Sequence, residues 1–112
     1  MGQLTTHVLD TSTGKPAAGI LVEVFSNDQA KLSDGLTNID GRVDTPLIQG
    51  ECFTAGSYIL KFHVAEYFEK SHGKASDFLK QVIINFEVAS PDQHYHVPLL
   101  LSPYGYSTYR GS

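Results

Sequence analysis

The strongest constraint on this chain is an alternation of period two that recurs from one end to the other. In "LTTHVLD", Leu4, Thr6 and Val8 fall on one face and Thr5, His7 and Leu9 on the other. "SYILKFHV" sets Tyr58, Leu60, Phe62 and Val64 against Ile59, Lys61 and His63. "ILVEVFS" (Ile20 to Ser26) and "FLKQVIINFEV" (Phe78 to Val88) read as strands, and "HYHVPLLLS" with "YGYSTYRG" as a closing hairpin about Pro103. Pro98 inside that hairpin predicts an edge or a bulge. Turn chemistry separates the runs: Gly14 and Pro16, "SDG" at 33–35, "NIDG" at 38–41 and "ASPDQ" at 89–93. "AEYFEKSHG" (Ala65 to Gly73) is the one segment that reads as a helix, about two turns long with Gly73 as its stop. Roughly seven or eight short strands at spacings near ten residues predict an all-β sandwich. No repeat or linker divides the 112 residues, so one domain over 1–112 is expected.

Composition narrows the functional classes. Hydrophobic residues make up 41% and charged ones 18%, a globular balance. A chain this short buries only about 65% of its unfolded surface, so a permanent oligomer would help it. The net charge is −4 and no Lys/Arg cluster is present, which argues against nucleic acid and against an anionic membrane surface. No apolar run approaches the roughly 20 residues that span a bilayer. The start, "MGQLTTHVLD", lacks the charged and apolar regions of a secretory signal, and no targeting tripeptide is seen, so cytoplasm is the expected setting. The single cysteine, Cys52, reads as a small buried hydrophobe, because no activating partner lies near it in sequence.

Five histidines are the first candidates for chemistry: His7, His63, His72, His94 and His96. His94 and His96 are two apart and share a strand face. Together with His7 they would suit a zinc with an open water position, although H-x-H also arises by chance from exposed or hydrogen-bonded core histidines. Arg42 follows an Asp-Gly turn, and by default it and Arg110 are solvated cations. Tyr104, Tyr106 and Tyr109 read as packing groups. Ser112 has no Ser-His-Asp context, and no glycine-rich phosphate loop exists.

Three separated stretches carry more. "LTTHVLDTSTGKPA", "TNIDGRV" and "HYHVPLLLSPYGYSTYRGS" resemble the transthyretin-like family, in order and over nearly the whole chain. The closing "YRGS" resembles the signature of its enzyme branch, the 5-hydroxyisourate hydrolases; the hormone carriers share the "SPY.YST" hairpin without that ending. Lys80-Gln81 departs from the aromatic-proline pair many relatives carry there. The resemblance implies two four-stranded antiparallel sheets with one short helix. It further implies a homotetramer, a dimer of dimers, with sites in a channel where the dimers meet. The implied reaction, in urate breakdown, is hydrolysis of 5-hydroxyisourate to 2-oxo-4-hydroxy-4-carboxy-5-ureidoimidazoline, with no cofactor and no metal. Its functional positions map onto His7, Arg42, His96 and the tail Tyr109, Arg110, Gly111 and Ser112.

The chemistry fits these groups. Water is a poor nucleophile at neutral pH and needs a base, and histidine titrates close to working pH. His7 and His96 can share base and acid roles, in either order. Arg42 offers a planar fork of donors that can hold an acidic edge and a developing oxyanion. Tyr109 can supply a ring wall, Gly111 a close backbone, and Ser112 a hydroxyl or carboxylate, with Arg110 anchoring the tail through a carboxylate. Three alternatives stand beside this reading: a transthyretin-type small-ligand carrier, a zinc hydrolase using His7, His94 and His96, and a structural sandwich with no ligand.

Overall fold

A computed structural model describes residues 2–74 and 77–111. Two sheets face each other across an apolar core. One contains β3 (Leu21–Ser26), β4 (Lys31–Leu36), β6 (Gly56–His63) and β7 (Gln81–Val88), in the order β4-β3-β6-β7 and antiparallel throughout. The other contains β1 (Gln3–Asp10), β2 (Lys15–Pro16), β8 (His94–Ser102) and β9 (Gly105–Thr108) in the order β2-β1-β8-β9, with β5 (Ile48–Gln49) also on β1. The expected sandwich with one short helix is therefore present, with two departures. The second sheet has five strands, and its central pair, β1 with β8, is parallel. Alternation fixes which face a residue takes but not strand direction. These two strands come from opposite ends of the chain, so the long connection that a parallel pair requires is available.

Alternation becomes burial. Leu4, Val8, Val22, Val24, Leu60, Phe62, Leu99 and Leu101 are fully buried, and each such side chain contributes about 1.5–3 kcal/mol of transfer free energy. Helix α1 (Val64–His72) covers one end, burying Val64, Tyr67 and Phe68 at helical spacing, and stops at Gly73, whose φ is +69°. Lys80-Gln81 leaves the strand entry intact: the Lys80 carbonyl accepts the Ala65 N–H, and β7 begins at Gln81.

Three local expectations are corrected. Ser33-Asp34-Gly35 is extended within edge strand β4, and the reversal lies earlier, where Gln29 takes φ +69° and Ser26 donates to the Ala30 carbonyl. Gly35 is glycine for a packing reason, since a Cβ there would stand 2.5 Å from Val43 Cγ1. Cys52 is exposed in a 3₁₀ turn, Gly50–Cys52, that points it away from the core. Pro98 sits in an interior strand. By the Leu99–Thr108 register it lies opposite Tyr109, to which it has no N–H to give; β9 ends at Thr108, and pairing resumes only at Gly111 with His96.

Candidate active site

The outward face of the β1–β8 pair carries the polar cluster. Because the two strands run parallel with Thr5 beside His96 and Gln3 beside His94, side chains two residues apart in each strand share one face. A depression of about 280 Å³ opens there, and Thr5, Arg42, Asp44, His94 and His96 are among its lining.

Arg42 reaches this face through the turn at 38–41. The Asn38 side-chain oxygen accepts the N–H groups of Asp40 and Arg42, the Asn38 N–H donates to the Arg42 carbonyl, and Gly41 takes φ +76°. The turn then docks on β1. Val8 donates to the Gly41 carbonyl at 2.8 Å, and Arg42 forms a backbone bridge with His7. A Cβ on Gly41 would stand 2.4 Å from the Val8 carbonyl and 3.2 Å from His7 Cδ2. Glycine is thus what lets the arginine approach the histidine. Asp44, at the rim, accepts the Asn38 amide at 2.8 Å.

His96 is the half-buried centre of the cluster. Burial first, then the nearby charges of Arg42, His94 and His7, push its pKa below the ordinary imidazole value. It is therefore neutral at neutral pH, with a lone pair free for a proton. Its Nδ1 lies 2.8 Å from Thr5 Oγ1, which leaves Nε2 as the working nitrogen. The exposed His94 meets the same hydroxyl through Nε2 at 2.7 Å.

The tail divides. The Gly111 N–H donates to the His96 carbonyl at 2.7 Å, and a Cβ on Gly111 would stand 2.7 Å from His96 Cδ2, so the backbone lies against the imidazole. Arg110 turns elsewhere: its guanidinium lies 4.0 Å from the Tyr95 ring centroid and donates to Gln93 Oε1 and the His94 carbonyl. It anchors the tail, though on an amide, a carbonyl and a ring in place of the expected carboxylate. Tyr109 is 58% exposed and lines a separate depression with Arg110. Ser112 lies outside the described residues. His7, Arg42, His96 and Gly111 are thus brought together, while Tyr109 and Arg110 are not part of that group.

Sequence reading missed Thr5 and Asn38. Thr5 shares a face with His7 by alternation, but its neighbours across the sheet depend on a parallel register that no local signal encodes. Among the described residues, no three His, Cys, Asp or Glu side chains come together as a metal-ligating group. No helix of the described residues is long and apolar enough to cross a membrane.

Fold and pocket together define a small β-sandwich protein with a histidine–arginine site on the outer face of one sheet. The chain belongs to the HIUase/Transthyretin family, whose match runs over residues 4–111. It is 52% identical over 116 residues to 5-hydroxyisourate hydrolase 2 of Rhizobium meliloti, covering 99% of this chain and 97% of that protein. The structure of Klebsiella pneumoniae 5-hydroxyisourate hydrolase superposes with a TM-score of 0.86 at 36% identity, covering all of both chains. Sea bream transthyretin, solved in complex with thyroxine, superposes with a TM-score of 0.85 at 26% identity, covering 97% of this chain and 94% of that one.

Proposed function

We infer that this protein hydrolyses 5-hydroxyisourate to 2-oxo-4-hydroxy-4-carboxy-5-ureidoimidazoline in urate breakdown. The observation that carries the reading is the meeting of a neutral, half-buried His96 with Arg42 at one polar depression, with His7 bridged to Arg42 through the backbone beside it. Identity of about half to a full-length hydrolase supports it.

In the proposed mechanism His96 Nε2 takes a proton from water as it attacks the cyclic amide. The guanidinium of Arg42 faces the acidic substrate edge and stabilises the oxyanion formed on attack, a contribution of roughly 3 kcal/mol for a donor of this kind. His7, bridged to Arg42, orients the substrate or water. Gly111 keeps the tail against His96, and the proposal keeps Ser112 among the catalytic residues through its hydroxyl. Tyr109 and Arg110 act on substrate only if a neighbouring subunit brings them to a site. A homotetramer would do so and would also roof the open depression. We include that assembly, and a cytoplasmic setting in keeping with a single cysteine, in the proposal.

The decisive experiment adds fresh 5-hydroxyisourate and follows its ultraviolet decay with and without protein. Acceleration proportional to protein concentration, unchanged after dialysis against a chelator, is the expected result. No acceleration, together with tight binding of a thyroxine-like ligand, would establish the carrier alternative instead.

A further inference from the structure

The mechanism above leaves the Thr5 hydroxyl unused. Its Oγ1 lies 2.7 Å from His94 Nε2 and 2.8 Å from His96 Nδ1, and among the described residues it bonds these two nitrogens alone. A hydroxyl has one hydrogen and two lone pairs. Its hydrogen therefore points to one imidazole, and it accepts the N–H of the other. In one arrangement His96 Nδ1–H donates to Thr5 and Thr5 donates to His94 Nε2, so His96 Nε2 is a bare lone pair. In the other, His94 Nε2–H donates to Thr5, Thr5 donates to His96 Nδ1, and His96 Nε2 carries the hydrogen. The hydroxyl ties the working nitrogen of His96 to the protonation of a second ring.

We propose that Thr5 and His94 are positioning residues that set the tautomer of His96 and hold its proton between water attack and ring opening. This rests on the hydrolase reading of the same site. As His96 Nε2 takes the water proton, its Nδ1–H passes to Thr5 Oγ1 and the hydroxyl hydrogen passes to His94 Nε2. One N–H bond forms at Nε2 and one breaks at Nδ1. Thr5 exchanges one O–H for another, and His94 gains the proton. His96 is then neutral with its hydrogen on Nε2, the form that donates to the leaving ring nitrogen. As it donates, the proton on His94 returns through Thr5 to Nδ1. Water's proton ends on the leaving nitrogen and the three groups return to their starting state.

The geometry suits the traffic. His94 is exposed, so its transient charge is solvated, whereas His96 is half-buried and faces Arg42 from the 38–41 turn and His7 from β1, both of which oppose a charge on it. Asp44 at the rim is held by Asn38, and Arg110 reaches the backbone carbonyl of His94.

Nitrogen NMR of the full chain with labelled histidine reads the tautomer directly. The expected spectrum at pH 7.5 has the His96 hydrogen on Nδ1, moving towards Nε2 in Thr5→Val. Thr5→Val is expected to lower kcat about tenfold with KM within about twofold, and Thr5→Ser to restore it. His94→Gln keeps a hydrogen-bonding partner but cannot hold a proton; it is expected to lower kcat about fivefold with KM within about twofold. Wild-type His96 protonated on Nε2, an unchanged tautomer in Thr5→Val, or normal kcat in His94→Gln would each overturn the relay. Should Thr5→Val not fold, the wild-type spectrum, Thr5→Ser and His94→Gln decide. Failure of the hydrolase reading is a different result, a wild-type protein that leaves 5-hydroxyisourate decay unaltered, and the NMR measurement stands apart from it.

Discussion

Strand β1 carries a histidine cluster at each end, and the two differ in kind. At its C-terminal end Asp10, fully buried, accepts from His72 Nε2 at 2.9 Å, the Tyr67 hydroxyl at 2.7 Å, and the Ser12 N–H and hydroxyl. Burial pushes this carboxyl up, but the bonds from Ser12, His72 and Tyr67 together outweigh it and hold its pKa below the usual value. The same contact, with burial as the larger cause, pushes the Tyr67 hydroxyl up to about 12. Near the other end His96 has a hydroxyl for a partner and cations for neighbours. A carboxylate fixes an imidazole in place as a strut between helix α1 and the sheet. A hydroxyl with a cation nearby leaves the imidazole neutral and able to take a proton. The partner, not the residue type, decides which imidazole is braced and which is left neutral for the base role proposed above.

The most direct way to break this contrast is to exchange the losses. His96→Ala is expected to lower turnover of 5-hydroxyisourate by about 10²–10⁴-fold with little change in stability. His72→Ala is expected to leave turnover within about twofold and to cost roughly 1–2 kcal/mol of stability through the lost bond to Asp10. Rate measurement and denaturant titration of both variants check the pair; a similar fall in turnover from His72→Ala would erase the distinction.

Gly41→Ala sharpens the contrast from the backbone. A side chain at φ +76° costs about 1–3 kcal/mol, and the overlap with the Val8 carbonyl forces the turn off β1. Arg42 and His7 should separate, so turnover falls by at least about tenfold. Asp10 and His72 lie outside the moved segment, so the bond between them should persist, while the strain lowers the melting temperature of the whole cooperative domain in circular dichroism. An active Gly41→Ala would show that the docked turn is not what positions the guanidinium.

How much of this was legible beforehand follows the range of each signal. Alternation fixed the faces of β1, β6 and β8, and the Asp40-Gly41 pair marked the turn that presents Arg42, because both are local. Motif resemblance singled out His7, Arg42 and His96, which the structure brings together. The parallel register was not legible, and with it went Thr5, whose role exists only across the sheet. The Ser33-Asp34-Gly35 turn failed because glycine there serves packing against Val43, a contact between segments that local turn propensity does not contain.

The smallest expected effect tests the structural end alone. Asp10→Asn keeps the shape but removes the charge, and Asn turns a donor towards groups that need an acceptor, so it should cost about 1–3 kcal/mol at neutral pH. The pH dependence has a definite sign. Asp10 is depressed in the folded state, so the unfolded chain binds the proton more readily. The stability it contributes is present above the unfolded carboxylate value, near pH 4, and is lost as pH falls through the lower folded value. Wild-type protein and Asp10→Asn should therefore converge in stability as pH falls through that lower folded value, as urea titrations carried from neutral pH into acid would register. A difference that stays constant into acid would mean the carboxylate's charge does nothing for the fold, and that His72 and Tyr67 are held by packing alone.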